Sequence, residues 1–254
     1  TSYPLKKVGE YSQNYLKPIM ALKYSPNGTK NISDNDVRLD YNNIFSLNRI
    51  GTNEIVEGGR SIAIGLEYEK INLENKKIVG FNIANSISDK KNVNLPTKSK
   101  LNDTRTDIVG NLSFNPNDIL NFDYSFSYDK NLNGSNYDSI STSINLNNFI
   151  TKFNFLSEDG NIGNNEIISN TTTYKFDSEN SIKFNTSKDL KNDFTEYYNL
   201  IYSYETDCLI ASAEYSKKFY RDGNLVPDKS LMFTIRFIPF VELKPAAVSL
   251  DSYN

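Results

Sequence analysis

Histidine and tryptophan are absent from this sequence, and cysteine occurs once, at Cys208. Without histidine, the Ser–His and Cys–His pairs of nucleophilic hydrolases cannot be built, including those of outer-membrane lipases and proteases. Zinc and haem sites lose their commonest nitrogen ligand as well. A single thiol closes no disulfide within the chain, so Cys208 is either free or paired with a cysteine beyond this sequence. No run of 18 apolar residues exists, which excludes a transmembrane helix but not a membrane barrel, whose lumen positions and loops are polar. Charge of one sign is not in excess either. Lys and Arg number 28 against 31 Asp and Glu, net -3, and long single-sign blocks are missing. Nothing here calls for a nucleic-acid partner or an anionic lipid surface. The chain opens Thr1-Ser2-Tyr3, with no initiator Met, charged segment or apolar segment, and reads as a cut through a longer protein whose address has been removed.

What the sequence does have is period two. Residues 119–129 read ILNFDYSFSYD. Leu120, Phe122, Tyr124, Phe126 and Tyr128 fall on one face, with Asn121, Asp123, Ser125, Ser127 and Asp129 on the other. The same alternation recurs in Ile62, Ile64, Leu66 and Tyr68, and in Ile108, Gly110, Leu112 and Phe114. It returns in Tyr198, Leu200, Tyr202 and Tyr204, then in Leu231, Phe233, Ile235 and Phe237. Weaker forms run through Ile140, Thr142, Ile144 and Leu146, and through Ile182 and Phe184. Before Arg60 the pattern is less regular; one strand is expected over residues 16–24 and another over 37–48. Strands of about nine to twelve residues exceed the usual five or six and match what a tilted strand needs to cross a bilayer.

Connections alternate as well. Short turns are expected near 73–76, 115–118, 147–148, 177–180 and 205–207. Between them lie mostly longer connections rich in Asn, Asp, Gly and Lys, at 88–104, 130–134, 158–165, 190–193 and 222–228. Bacterial barrels put short turns on the periplasmic side and longer loops outside. On that basis the last strand, about 230–240, ends on the periplasmic side. Cys208 then lies by a periplasmic turn, in the compartment where disulfides persist.

Few constellations carry chemistry. Glu67 and Glu69 share a polar face and could be read as a glycosidase pair, but lumen-facing acids on a strand are the simpler reading. Residues 129–134 (DKNLNG) match the opening of an EF-hand loop, yet the twelfth position is Ile140 and the flanks are strands, so a hairpin loop explains them. Tyr204, Tyr215 and Phe240 fall near strand ends, where interfacial aromatics belong. No catalytic, cofactor or metal site is assigned, and the chain is read as a non-enzyme.

Residues 42–51 (NNIFSLNRIG), then Val56-Glu57-Gly58-Gly59 and 61–69 (SIAIGLEYE), resemble a pattern in the C-terminal barrel domain of the LptD family of LPS-assembly (organic solvent tolerance) proteins. Residues 105–118 (RTDIVGNLSFNPND) resemble that family's strand-and-turn segment. Residues 204–237, with Asp207-Cys208 and the closing strand, resemble its ending. The resemblance implies a protein that delivers lipopolysaccharide to the outer leaflet. It implies a barrel closed by pairing first and last strands, at a seam that parts to let lipid leave sideways. In this sequence that places Ser230, Met232, Thr234, Arg236, Ile238 and Pro239 on the seam strand, with their partner outside the chain. Pro239 lacks an N–H and so weakens pairing at the strand's end. Cys208 matches the cysteine that in the family bonds to the N-terminal region. The next residue is Leu209 rather than a second cysteine, so at most one such bridge is available. An LptE-like lipoprotein plug and an LptA-like periplasmic bridge protein are the implied partners, besides lipopolysaccharide and membrane lipid.

The expectation is therefore an all-β, antiparallel transmembrane β-barrel, the C-terminal half of a larger barrel with about 11–13 strands in this chain. Residues 1–245 make the partial barrel domain and 246–254 a C-terminal tail. A general porin or solute channel is the alternative function, told apart by ion conductance. A soluble or surface-displayed β-rich adhesin is a third, told apart by detergent-free solubility.

Overall fold

The computed structural model describes residues 1–26, 28–34, 37–49, 57–160, 162–219, 227–238, 241–243 and 248–249. Among them there is no α-helix, and one 3-10 turn, Lys98–Lys100. Thirteen strands of four or more residues are described: β1 (Leu5–Val8), β2 (Ser12–Ser25), β3 (Gly59–Asn72), β4 (Lys77–Ser88), β5 (Ile108–Phe114), β6 (Leu120–Tyr128), β7 (Ser135–Leu146), β8 (Phe149–Glu158), β9 (Asn165–Lys175), β10 (Asn180–Asp189), β11 (Phe194–Glu205), β12 (Leu209–Lys218) and β13 (Asp228–Phe237). Two short stretches follow, β14 (Val241–Leu243) and β15 (Val248–Ser249), both antiparallel to β13. Hydrogen-bonded neighbours follow sequence order from β1 to β14, an up-and-down meander. The all-β antiparallel expectation stands, and the strand number meets its upper bound.

The chain divides into two compact units: Thr1–Asn117 with Asn121–Ile140 and Leu156–Asn164, and Asp118–Leu120 with Ser141–Phe155 and Asn165–Asn254. In the first, β1 to β6 pair consecutively. Leu16 stands opposite Tyr68, Leu22 opposite Ile62, and Ile62 opposite Ile87. In the second, β9 to β13 do the same, with Phe184 opposite Leu200 and Ala213 opposite Phe233. Short turns close β3–β4, β5–β6, β7–β8, β9–β10 and β11–β12 where expected. In the first of them Asn72 Oδ1 accepts from the amides of Glu74 and Lys76 at 3.0 and 2.8 Å, and Asn75 takes a positive φ of 61°. Short polar side chains tolerate that conformation and cap their own turns.

β2 and β3 each run 14 residues. At about 3.3 Å per residue this is about 46 Å of strand, enough to cross a 30 Å hydrocarbon layer at a tilt near 45°. β2 thus exceeds the expected span of 16–24. The strand expected over 37–48 is not there. Its described residues form turns and bends, and Leu39, Tyr41 and Ile44 turn into a small core with Ala63, Ala84, Leu95, Leu101 and Val109.

Candidate functional site

In the first unit the usual burial rule is inverted. Leu22 is 73%, Ile64 50% and Ile87 45% exposed, whereas Ala63 and Ala84 on the alternate positions are 5% and 3% exposed and Val109 is fully buried. Strand geometry makes this an all-or-nothing choice, because successive side chains point to opposite faces. One face carries Leu16, Pro18, Met20, Leu22 and Tyr24 of β2, beside Ile62, Ile64, Leu66 and Tyr68 of β3. A contiguous bare apolar wall of this kind is rare on proteins that meet only water.

β6 continues that wall with aromatics. The rings of Tyr124 and Phe126, and of Phe126 and Tyr128, lie 5.4 and 5.5 Å apart. Gly110 of β5 makes room for them. A Cβ there would meet Asn82 O at 2.4 Å and Phe126 Cζ at 2.5 Å, so the ring lies across a strand position that has no side chain.

The opposite, inner face is polar and lined by small residues, and residues 37–45 of the connection after β2 fold onto it. Gly65 is the contact point from the sheet side, where a Cβ would fall 2.5 Å from Phe45 Cζ. Tyr41 donates its hydroxyl to Glu67 Oε1 at 3.0 Å, while Lys17 Nζ reaches Glu67 Oε2 at 2.8 Å. Burial, together with the Glu67 carboxylate, pushes the Tyr41 phenol up. Lys77 pairs with Glu69 at 2.9 Å. Both acids singled out in the sequence thus have cationic partners, and their separate engagements do not form a paired acid–base arrangement.

Behind this lies a buried charge cluster. Arg49 Nε donates to Glu57 Oε2 at 3.0 Å, Nη2 bonds Glu57 Oε1, and Nη1 donates to Ser86 Oγ at 2.7 Å. Lys23 Nζ adds an ion pair to Glu57 Oε2 at 2.7 Å. Burial favours the neutral acid at Glu57, but Arg49 and Lys23 outweigh it and hold the carboxyl below the ordinary carboxylate range. The cluster ties Arg49 and Glu57 to each other, to Lys23 of β2 and to Ser86 of β4. The adjoining 89–107 connection is tied down too, with Leu39 N donating to Ser99 Oγ at 3.0 Å and Lys130 Nζ to Asp103 Oδ2 at 2.6 Å. Lys130, the Thr104 amide and Lys91 keep the Asp103 carboxyl well below its usual range.

In the second unit the apolar face carries Leu200 and Tyr202 of β11 with Phe233, Ile235 and Phe237 of β13, all exposed. The other face carries Asn199, Glu214 and Ser216, linked by Asn199 Nδ2 to Glu214 Oε1 at 3.1 Å and by Ser216 Oγ to Asn199 Oδ1 at 2.9 Å. The apolar face also includes Thr151, Asn170 and Thr172. These satisfy one another, with Asn170 Nδ2 donating to Thr151 Oγ1 at 3.1 Å and Thr172 Oγ1 to Asn170 Oδ1 at 2.9 Å, as polar groups at a hydrocarbon surface must.

The residues expected on the seam strand fall as follows. Ser230, Met232, Thr234 and Arg236 alternate on one face of β13, opposite Ser216, Glu214, Ser212 and Ile210 of β12. Ile238 lies just past the strand, its amide bonded to Cys208 O at 2.9 Å. Pro239 lies outside the described residues, as does Phe240. The second edge of β13 is taken by the chain's own end, with Ile235, Arg236 and Phe237 opposite Leu243, Glu242 and Val241, and Ser230 and Leu231 opposite Ser249 and Val248. Cys208 is exposed in the β11–β12 turn, with its Sγ 3.8 Å from Thr206 Oγ1. Tyr204 lies near the end of β11 and Tyr215 within β12. The 129–134 stretch is a hairpin loop. Asp129 accepts from Asn131 N at 2.8 Å and pairs with Lys100, so its carboxylate is already engaged.

Sequence reading missed the Arg49–Glu57–Lys23 cluster. The available signal was a pair of small residues on each of two strands, Ala84 and Ser86 on β4 opposite Gly65 and Ala63 on β3, which left room for an inward segment.

Among solved structures, one titled "Asymmetric conductivity of engineered proteins" is similar at 10% identity, with a TM-score of 0.40 over 92% of this chain and 83% of that one. No curated protein matches the chain. The family profile described as LptD, LPS transport system D, matches residues 2–187. That span covers the inverted wall of β2–β6, the inner connection and its Arg49–Glu57 cluster, and the chain belongs to the LptD family of lipopolysaccharide-transport proteins.

Proposed function

We propose that this chain is part of the wall of an outer-membrane translocon that assembles lipopolysaccharide into the outer leaflet. The observation that carries the reading is the division of charge and grease between two faces of the same strands. Lys17, Glu67, Glu69 and Lys77 are turned inward, while Leu22, Ile64 and Ile87 are bare on the other side. A glycolipid with a charged sugar head and several acyl chains needs both environments within reach.

In this reading the transported lipid is the only small-molecule partner, and the chain acts as a conduit rather than a catalyst. The short turns lie in the periplasm, and with them the C-terminal end of residues 1–245; residues 246–254 form a tail. An LptE-like lipoprotein occupies the lumen and an LptA-like protein supplies lipid from the periplasmic side. β13 is the seam strand, with Ser230, Met232, Thr234, Arg236, Ile238 and Pro239 along it. Its partner comes from the rest of the polypeptide, and β14 and β15 are what that strand displaces. Cys208, exposed at a short turn, bonds a cysteine of the N-terminal region.

Full-length protein carrying a photocrosslinking residue at Asp123, exposed on the polar face of β6, tests the reading in cells. Lipopolysaccharide adducts are expected. Their absence, combined with steady ion conductance of the full-length protein in planar bilayers, would overturn it in favour of a solute channel.

A further inference from the structure

Two hollows meet at the end of β2, β3 and β4 that bears the long connections. One is a polar cleft of about 700 Å³ lined by residues 26, 28–29 and 57–58 on one side and by the 89–107 connection on the other. The other is an open apolar groove of about 670 Å³ on the exposed wall. Lys23, Tyr24, Arg60, Ser61, Ser88 and Asp89 line both.

The register explains why they adjoin. Leu22, Ile62 and Ile87 stand abreast on three neighbouring strands, a continuous apolar row. Two residues along, Tyr24 stands opposite Arg60, a step of about 6.6 Å. The Arg60 guanidinium lies 5.4 Å from the Tyr24 ring centroid, which holds it at the upper margin of the row. Above it the cleft adds Lys90 and Lys91.

Among the described residues that line the cleft, cations outnumber acids. Glu57 is already engaged by Arg49 and Lys23. Lys91 shares Asp103 at 3.3 Å with Lys130. Among the described residues of the cleft lining, Asp89 is the one further carboxylate. Arg60 and Lys90 therefore leave the margin positive. The rest of the cleft offers hydroxyl and amide groups, Ser88 and Asn92 among them, and it is far larger than a bare phosphate requires.

We propose that this is an external docking site for an acylated sugar phosphate. An acyl chain lies along Leu22, Ile62 and Ile87, a phosphate meets Arg60 and Lys90, and the sugar enters the cleft. The site rests on the transport reading only in that the ligand is the transported glycolipid, and it places that lipid against the outside wall rather than on the inner face. Charge-assisted contacts to phosphate are the strong ones available here, and the planar Arg fork suits two phosphate oxygens.

The test uses full-length protein in the outer membrane of cells, with a photocrosslinking residue at Ile87. Adducts are read with antibodies to lipopolysaccharide. Phe184, 40% exposed on the apolar face of the second unit, serves as the comparison position. The expected result is a stronger adduct at Ile87 than at Phe184, falling roughly five- to tenfold in Arg60→Glu/Lys90→Glu as charge-assisted phosphate contacts are lost. Because Arg60 also lies against Tyr24, Lys90→Glu alone, at an exposed loop position, should show a smaller fall in the same direction. Equal adducts at both positions, adducts unmoved by charge reversal, or phospholipid as the sole captured species would each overturn the site. The Asp123 adduct, read in protein without these charge reversals, reports on passage along the inner face, so the two readings fail separately.

Discussion

Arg49 and Glu57 form a two-point ion pair beside Ser86 of β4, Nε to Oε2 at 3.0 Å, with both residues only 3% exposed. Removing one member of such a pair leaves a desolvated charge, which typically costs about 3–5 kcal/mol. Arg49→Ala or Glu57→Gln should therefore loosen residues 37–49 from the sheet. Limited proteolysis of the folded full-length protein checks this, with cleavage expected within 37–49 in the variants and slower cleavage there in the parent.

The same cluster sets a pH dependence. The folded Glu57 carboxyl is depressed by Arg49 and Lys23 despite its burial, so its contribution to holding the connection is present above the unfolded carboxylate pKa. It is lost as pH falls through the lower folded value. Hydrogen exchange of amides at 37–49 should stay slow from neutral pH to the ordinary carboxylate range and speed up only in stronger acid. Loosening that began near neutrality would contradict the assignment.

The two faces of β11 should respond oppositely to charge. Leu200→Arg places a guanidinium on the apolar face and should cost about 2–4 kcal/mol if that position lies near the bilayer midplane. Asn199→Arg, on the alternate face, should cost far less. Urea titrations of the full-length protein in lipid vesicles compare them, and equal costs would mean that neither face meets hydrocarbon.

Gly110→Ala should destabilise the β4–β6 wall by about 1–3 kcal/mol through overpacking, because the new methyl collides with the carbonyl of Asn82 as well as the Phe126 ring. Phe126→Leu in the same background should recover only the ring's part. The heat required to unfold the barrel band on a gel gives the order of the three proteins.

If Cys208 is bridged to a distant cysteine, a maleimide should label it only after reduction, and Cys208→Ser should abolish the mobility change seen on reduction. Its exposure in the β11–β12 turn makes it reachable when free, so prompt labelling without reductant would show that no bridge exists.

The strands and short turns were legible because a wall with unlike faces writes itself as alternation. Leu120 to Tyr128 announced β6 almost residue for residue. The inner connection was not, for a physical reason. Val37, Leu39 and Tyr41 also alternate, and their spacing resembles a strand, but these side chains bury against Ala21, Ala63 and Ala84 of other elements. Local spacing carries no record of such distant partners. The Arg49–Glu57 pair was visible only as part of a family pattern; its role as a clasp emerged from the distance between the two groups. The occupied second edge of β13 was equally hidden, since three residues at Val241–Leu243 and two at Val248–Ser249 are too few to show a period.

The unequal connections also bear on how such a chain enters a membrane. Ends closed by tight turns such as 147–148 carry few polar groups across hydrocarbon, whereas the 26–58 and 89–107 segments carry many, and moving uncompensated charge through oil is prohibitive. The hairpins are consequently vectorial objects. With the short turns left on the periplasmic side, as proposed, it is the bulky ends that must cross, so their polar groups have to be paired, folded or chaperoned during passage.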